Sequence, residues 1–99
     1  MDTDKTKVIF RQFIIGCEII ALFPEIAVDT IGYNCQSYLH VGQHGAANPR
    51  TMIMDTKPAK LEDGACKRLI KELTELGYNL EIIKRFRYTH QQTRMAQIK

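Results

Sequence analysis

The amino-acid sequence predicts an α+β fold: a mainly antiparallel sheet in the order β-β-β-(β)-α-β, with one amphipathic helix packed on one face. Short β-branched and aromatic runs, KVIFRQF, EIIALFPEI and CQSYLHV, follow one another with brief links, as the strands of a meander do. Apolar residues then change to helical spacing at Leu61, Ala65, Leu69, Leu73 and Leu76. A last alternating run, YNLEIIKR, follows the glycine after that helix. Strands grouped ahead of a helix argue for α+β rather than for a parallel, alternating α/β sheet.

Lys7–Phe13 is bounded by a polar N-terminus and predicts the first strand. Gly16 places a hairpin turn at Ile14-Ile15-Gly16-Cys17, although two isoleucines equally suit an extension of the strand. Glu18–Ile26 forms the second strand, and Pro24, which has no backbone donor, either ends it near Phe23 or puts it at the sheet edge. Asp29, Gly32 and Asn34 supply turn chemistry. The third strand, from about Cys35 to Val41, puts Cys35, Ser37, Leu39 and Val41 on an inward face and Gln36, Tyr38 and His40 on the outward one. Gln43–Arg50, closed by Asn48-Pro49, reads as a loop, and Thr51–Asp55 as a brief strand or a packed connection.

The helix is expected from about Ala59 to Leu76, with Cys66 and Ile70 beside its stripe. Glu62 and Asp63 suit the positive N-terminal end, and Gly77 stands where a left-handed C-cap residue belongs. Tyr78–Arg85 makes the final strand. Residues 88–99 are expected to form a basic C-terminal tail, frayed or weakly helical, outside an ordered core of about 6–87.

Ninety-nine residues form a single domain, residues 1–99, because a chain of this length has room for one hydrophobic core. A composition of 44% hydrophobic and 25% charged residues excludes wholesale disorder. Cys17, Cys35 and Cys66 are odd in number and form no CxxC pair, so no disulfide framework is expected. The N-terminus MDTDKTKVIF carries no signal-peptide or membrane-span pattern, so a cytoplasmic location with reduced thiols is expected, with no membrane partner. Charge is uneven: residues 1–77 hold nine Lys/Arg against ten Asp/Glu, whereas residues 78–99 hold five against one.

The order of elements, together with KVIFRQF, EIIALFPEI, the block CQSYLHVGQHGAA, the TKPA lead-in to the helix and the exit ELGYNLEIIKR, resembles a group of short bacterial proteins carried on plasmids, conjugative elements and phages. The resemblance runs from about Lys7 to Arg85. The chain departs from that group at Ile14-Ile15-Gly16-Cys17, where a polar turn is expected, and in its longer basic tail. The group has no assigned activity, so the resemblance implies a bacterial or phage origin and no catalytic role for any residue.

Two places hold residues suited to a ligand. Tyr38, His40 and His44 share the end of the third strand, where two imidazoles could converge on a metal with Cys35 or a distant carboxylate as a third ligand, or one of them could serve as a general base. A closed zinc site needs four ligands and a catalytic one three, and no second cluster supplies them. Ser37 points away from His40 across the pleat, and no nucleophile elbow or HExxH occurs. No metal, no cofactor and no catalytic set is therefore expected. Gly42-Gln43-His44-Gly45 lacks the helix that must follow a phosphate-cradling loop at once. The second place is KRFRYTHQQTR, where Lys84, Arg85, Arg87 and Arg94 interleave with Phe86 and Tyr88, a pattern that holds phosphates and stacks on bases.

These features predict a small non-enzymatic binding module whose partner is a protein, including a second copy of itself through an exposed strand edge. Nucleic acid bound through the basic C-terminal region is the alternative. A small metal-binding or hydrolytic enzyme centred on His40 and His44 is the third.

Overall fold

A computed structural model describes residues 5–29, 32–39 and 43–97 of the chain. The elements are β1 (Thr6–Phe13), β2 (Ile19–Ala27), β3 (Cys35–Leu39), β4 (Gln43–Ala47), α1 (Pro49–Asp55), β5 (Thr56–Pro58), α2 (Gly64–Glu75), β6 (Leu80–Ile82) and α3 (Tyr88–Ala96). The predicted α+β class forms, as a six-stranded, mostly antiparallel sheet with three helices against it. Strand order is β4-β3-β2-β1-β5, the first four strands making an antiparallel meander. The outer edge of β1 is divided between two short strands. β6 runs parallel beside Thr6–Val8 and β5 antiparallel beside Arg11–Phe13.

Both faces of the sheet are covered, which explains the unbroken apolar runs of β1 and β2. On one face Val8, Phe10, Ala21, Phe23 and Tyr38 pack under Cys66, Leu69 and Leu73 of α2. On the other, Ile9, Ile20, Leu22, Cys35 and Ala47 pack with Met52 of α1 and with Ile83 and Phe86 on the way to α3. Tyr38, expected on an outward face, is therefore fully buried. Alternation separates two faces, but it cannot say that only one of them is covered.

The β1–β2 turn forms where Gly16 places it. Gly16 (φ +90°) and Cys17 (φ +60°) both adopt left-handed backbone, and Ile15 is lifted to 91% exposure. Pro24 neither ends β2 nor marks an edge. β2 lies between β1 and β3, and Pro24 sits where the β2–β3 register shifts between Phe23 and Ala27, a bulge that asks for no ladder donor.

Two segments form elements other than those expected, a strand in place of a loop and a helix in place of a brief strand or packed connection. Gln43–Ala47 pairs with β3 as the edge strand β4. Asn48-Pro49 starts a helix instead of closing a loop: the Asn48 side-chain oxygen accepts the Arg50 and Thr51 N–H groups and Pro49 takes the first turn, so TMIMD is helical.

α2 begins at Gly64, five residues after its expected start, and Leu61 and Leu76 stay exposed beyond its buried stripe. It stops at Gly77 (φ +106°), where the Gly77 N–H donates to Thr74 O (3.1 Å) and the Tyr78 N–H to Leu73 O (3.2 Å).

The basic tail expected over residues 88–99 is largely the helix α3. It packs on β2 and buries two polar side chains, His90 and Arg94, at 3% and 4% exposure. Arg94 donates from Nε to Gly32 O (2.9 Å) and from Nη1 to Pro24 O (2.6 Å). Past the helix, the Gln97 amide accepts the Ala27 N–H and donates to Glu25 O. Among the described residues no helix is long and apolar enough to cross a membrane.

Candidate functional site

Of the three residues expected at the end of the third strand, His40 lies outside the described residues. Tyr38 and His44 are direct cross-strand partners on β3 and β4, their rings edge to face at 4.7 Å. The Tyr38 hydroxyl donates to the Glu72 carboxylate of α2, and His44 Nε2 lies 3.1 Å from the Tyr78 hydroxyl, which also accepts from Gln36 Nε2 (3.2 Å). Phe23 stacks on Tyr78 at 5.0 Å.

Glu72 and Tyr78 are absent from the expected site because they lie on α2 and just past its cap, more than thirty residues away. This cluster ties β3 and β4 to the end of α2. Tyr38 is sealed beneath the helix, and no group of three metal-binding side chains occurs among the described residues. The cluster therefore offers a ligand one exposed imidazole and one half-buried phenol.

The basic residues are arranged differently. Lys84, Arg85 and Arg87 are all exposed on the segment that leaves β6 for α3. Lys84, Arg85 and Arg87 line a cleft of about 500 Å³ together with Lys7, Glu81 and His90. Lys84 and Arg85 also line a neighbouring cleft of about 470 Å³ with Arg11, Leu61 and Ile82. None of Lys84, Arg85 and Arg87 has a carboxylate within ion-pair distance among the described residues; Lys7 pairs with Glu25 at 3.2 Å. Arg11 is steered by Thr56, donating from Nε to Oγ1 (2.8 Å) and from Nη2 to the carbonyl (2.9 Å). The parallel β6–β1 ladder brings Lys7 beside Glu81, and thus next to the basic segment. Local sequence contains no sign of this pairing.

At the base of the first cleft, His90 Nδ1 accepts the Arg87 N–H at 2.9 Å. The neutral ring thus carries its proton on Nε2. Burial pushes the His90 pKa below its ordinary value; Glu25 opposes this, while Lys7, Arg94 and Arg87 add to it. Tyr88, the first residue of α3, is 74% exposed directly after Arg87. Arg94, grouped with the other cations in the sequence, is separated from them in the fold: its guanidinium is bound by interior carbonyls.

Compared with protein-family models, with curated proteins and with solved structures, the chain matches none.

Proposed function

We propose that the protein is a binding module that holds a single-stranded nucleic acid along Lys84–Arg87. The observation that carries this reading is a set of exposed cations with no ion-pair partner among the described residues: Lys84 and Arg85 on the walls of two adjoining clefts, Arg87 on the wall of the first beside Glu81, joined by Arg11 in the second and followed by the exposed ring of Tyr88. Unpaired cations exchange condensed counterions for phosphates, and an exposed aromatic beside them gives an unstacked base a surface to lie on. A bacterial or phage origin and a cytoplasmic setting belong to the same proposal, on the resemblance and on the three free cysteines.

The test is fluorescence anisotropy with labelled single-stranded oligonucleotides. Three phosphate contacts give a log–log salt slope of about −2, so affinity should fall roughly 20-fold between 50 and 200 mM salt. The variant Lys84→Ala/Arg85→Ala/Arg87→Ala should abolish both the binding and its salt dependence. Binding that ignores salt, or that survives the triple variant, overturns the proposal.

A second reading, association with another copy, is favoured by one feature. Ile14 and Ile15 of the β1–β2 turn and Ile53 and Met54 of α1 are exposed at one end of the molecule, where the Ile14 N–H donates to Asp55 O (3.1 Å). Sedimentation velocity decides it: a dimer that Ile15→Glu dissociates supports it, and a monomer at the highest soluble concentration removes it.

A further inference from the structure

Arg94 is a buried cation with no ion-pair partner among the described residues. Its Nε and Nη1 donate to the Gly32 and Pro24 carbonyls, and Nη2 donates to no described residue. Carbonyls satisfy donors but supply no countercharge, and Nη2 is not sealed in the interior without a partner. Among the described residues no carboxylate lies within ion-pair distance of Arg94: Glu25 pairs with Lys7, and the Asp29 oxygens are turned to the N–H groups of Gly32 (2.6 Å) and Asn34 (3.0 Å). Cys35, close enough for Arg94 to act on it, remains a neutral thiol, since burial pushes its pKa to about 11. His90 is neutral too, its Nδ1 accepting from Arg87.

Arg94 also lines a cleft of about 300 Å³ between α1 and α3, with Tyr33, Asn48, Pro49, Arg50 and Gln91. No carboxylate is among these residues. Arg50 is exposed and has no ion-pair partner among the described residues. The Asn48 oxygen is occupied by the Arg50 and Thr51 N–H groups, which leaves its NH₂ as a donor. The wall is thus two cations, amide and phenol groups that can donate, and the flat surfaces of Tyr33 and Pro49. The volume is at the small end of the range for ligand sites.

We propose that this cleft binds a small molecule through a carboxylate or phosphate group held between Arg94 and Arg50. The oxyanion accepts from the inner guanidinium and supplies it with a directly bonded countercharge. Arg50 closes over it from the α1 side, and the remainder of the molecule lies along Tyr33 and Pro49. The site is separate from the Lys84–Arg87 clefts and does not depend on the nucleic-acid reading.

Isothermal titration and ¹H–¹⁵N spectra of the full chain test it, using inorganic phosphate and malonate in separate arms, each against sodium chloride of equal ionic strength. Saturable binding of either anion is expected, with the Arg94 Nε–H resonance moving along the titration. Phosphate alone identifies a phosphate ligand, malonate alone a carboxylate, and both a general oxyanion site. Arg50→Ala, at an exposed position, should weaken binding by about tenfold or more, the loss of one charge-assisted contact. Lys84→Ala/Arg85→Ala/Arg87→Ala should leave it unchanged. The proposal is overturned if neither anion differs from chloride, if Arg94 Nε–H stays still, or if the triple variant rather than Arg50→Ala removes binding.

Discussion

Gly32 has no side chain, and α3 docks in the space that one would occupy. A Cβ there would lie 2.8 Å from Met95 Cγ and 3.3 Å from the Met95 backbone, and φ is +76°. Gly32→Ala should destabilise the fold by about 1–3 kcal/mol, seen as a lower urea midpoint. An unchanged midpoint would mean that α3 is not held against Gly32. Arg94→Met keeps the apolar stem but leaves two interior carbonyls without donors, and should cost about 1–3 kcal/mol by the same measurement. The cysteines should separate by burial: Cys17 is exposed, whereas Cys35 and Cys66 are buried with raised pKa values. At pH 8 a thiol reagent should therefore modify Cys17 fast and the other two only on unfolding. Buried neutral groups also bound stability in pH. As pH falls below 6.5 the unfolded chain protonates His90 while the fold, with a lowered pKa, resists, so stability drops on the acid side. As pH rises from 9 towards 11 the unfolded chain loses the Cys35 proton that the fold retains, so stability drops there too. Urea midpoints measured across pH should show a plateau between these limits. His90→Gln should flatten the acid limb if His90 is its source.

α2 and α3 differ in how far each was legible. The expected stripe Leu61, Ala65, Leu69, Leu73 and Leu76 announces α2 by its helical spacing, although Leu61, Ala65 and Leu76 are exposed and the flanking Cys66 is buried with Leu69 and Leu73, and Gly77 announces its end. α3 buries His90 and Arg94, whose i, i+4 spacing is helical but whose polarity reads as a solvated tail. Likewise QHGAA shows no strand signal, because an edge strand paired on one side needs little apolar surface. Leu73→Ala, deep beneath α2, should cost about 2–5 kcal/mol. A chain ending at Arg87 removes the helix that caps the Pro24 and Gly32 carbonyls. It should melt well below the full chain; equal melting temperatures would show α3 to be dispensable. Loss of nucleic-acid binding on such a truncation would consequently report unfolding as readily as lost contacts, which is why point variants at Lys84, Arg85 and Arg87 are the proper test.

At the scale of the whole molecule, folding redistributes the charge that the chain concentrates in its last fifth. Arg94 goes inward, while Lys84, Arg85 and Arg87 stay outside and are joined by Lys7 and Arg11 from β1. The expected cluster at Tyr38, His40 and His44 was partly legible: Tyr38 and His44 do meet, but Glu72 and Tyr78 complete their bonding from another element. By itself the sequence determined an α+β chain, the β1–β3 meander, the turn at Gly16, the helix that Gly77 ends, and the C-terminal excess of cations. Periods of 2 and 3.6 residues and the backbone freedom of glycine are local quantities, readable from neighbours along the chain. Only the tertiary structure decided that both sheet faces are covered, that Pro24 sits at a bulge, that β6 pairs in parallel with β1, and which arginine is buried. These depend on bonds between residues far apart, such as Arg94 with Gly32 and Pro24 at separations of 62 and 70, and a polar bond at that range imposes no period on the sequence around it.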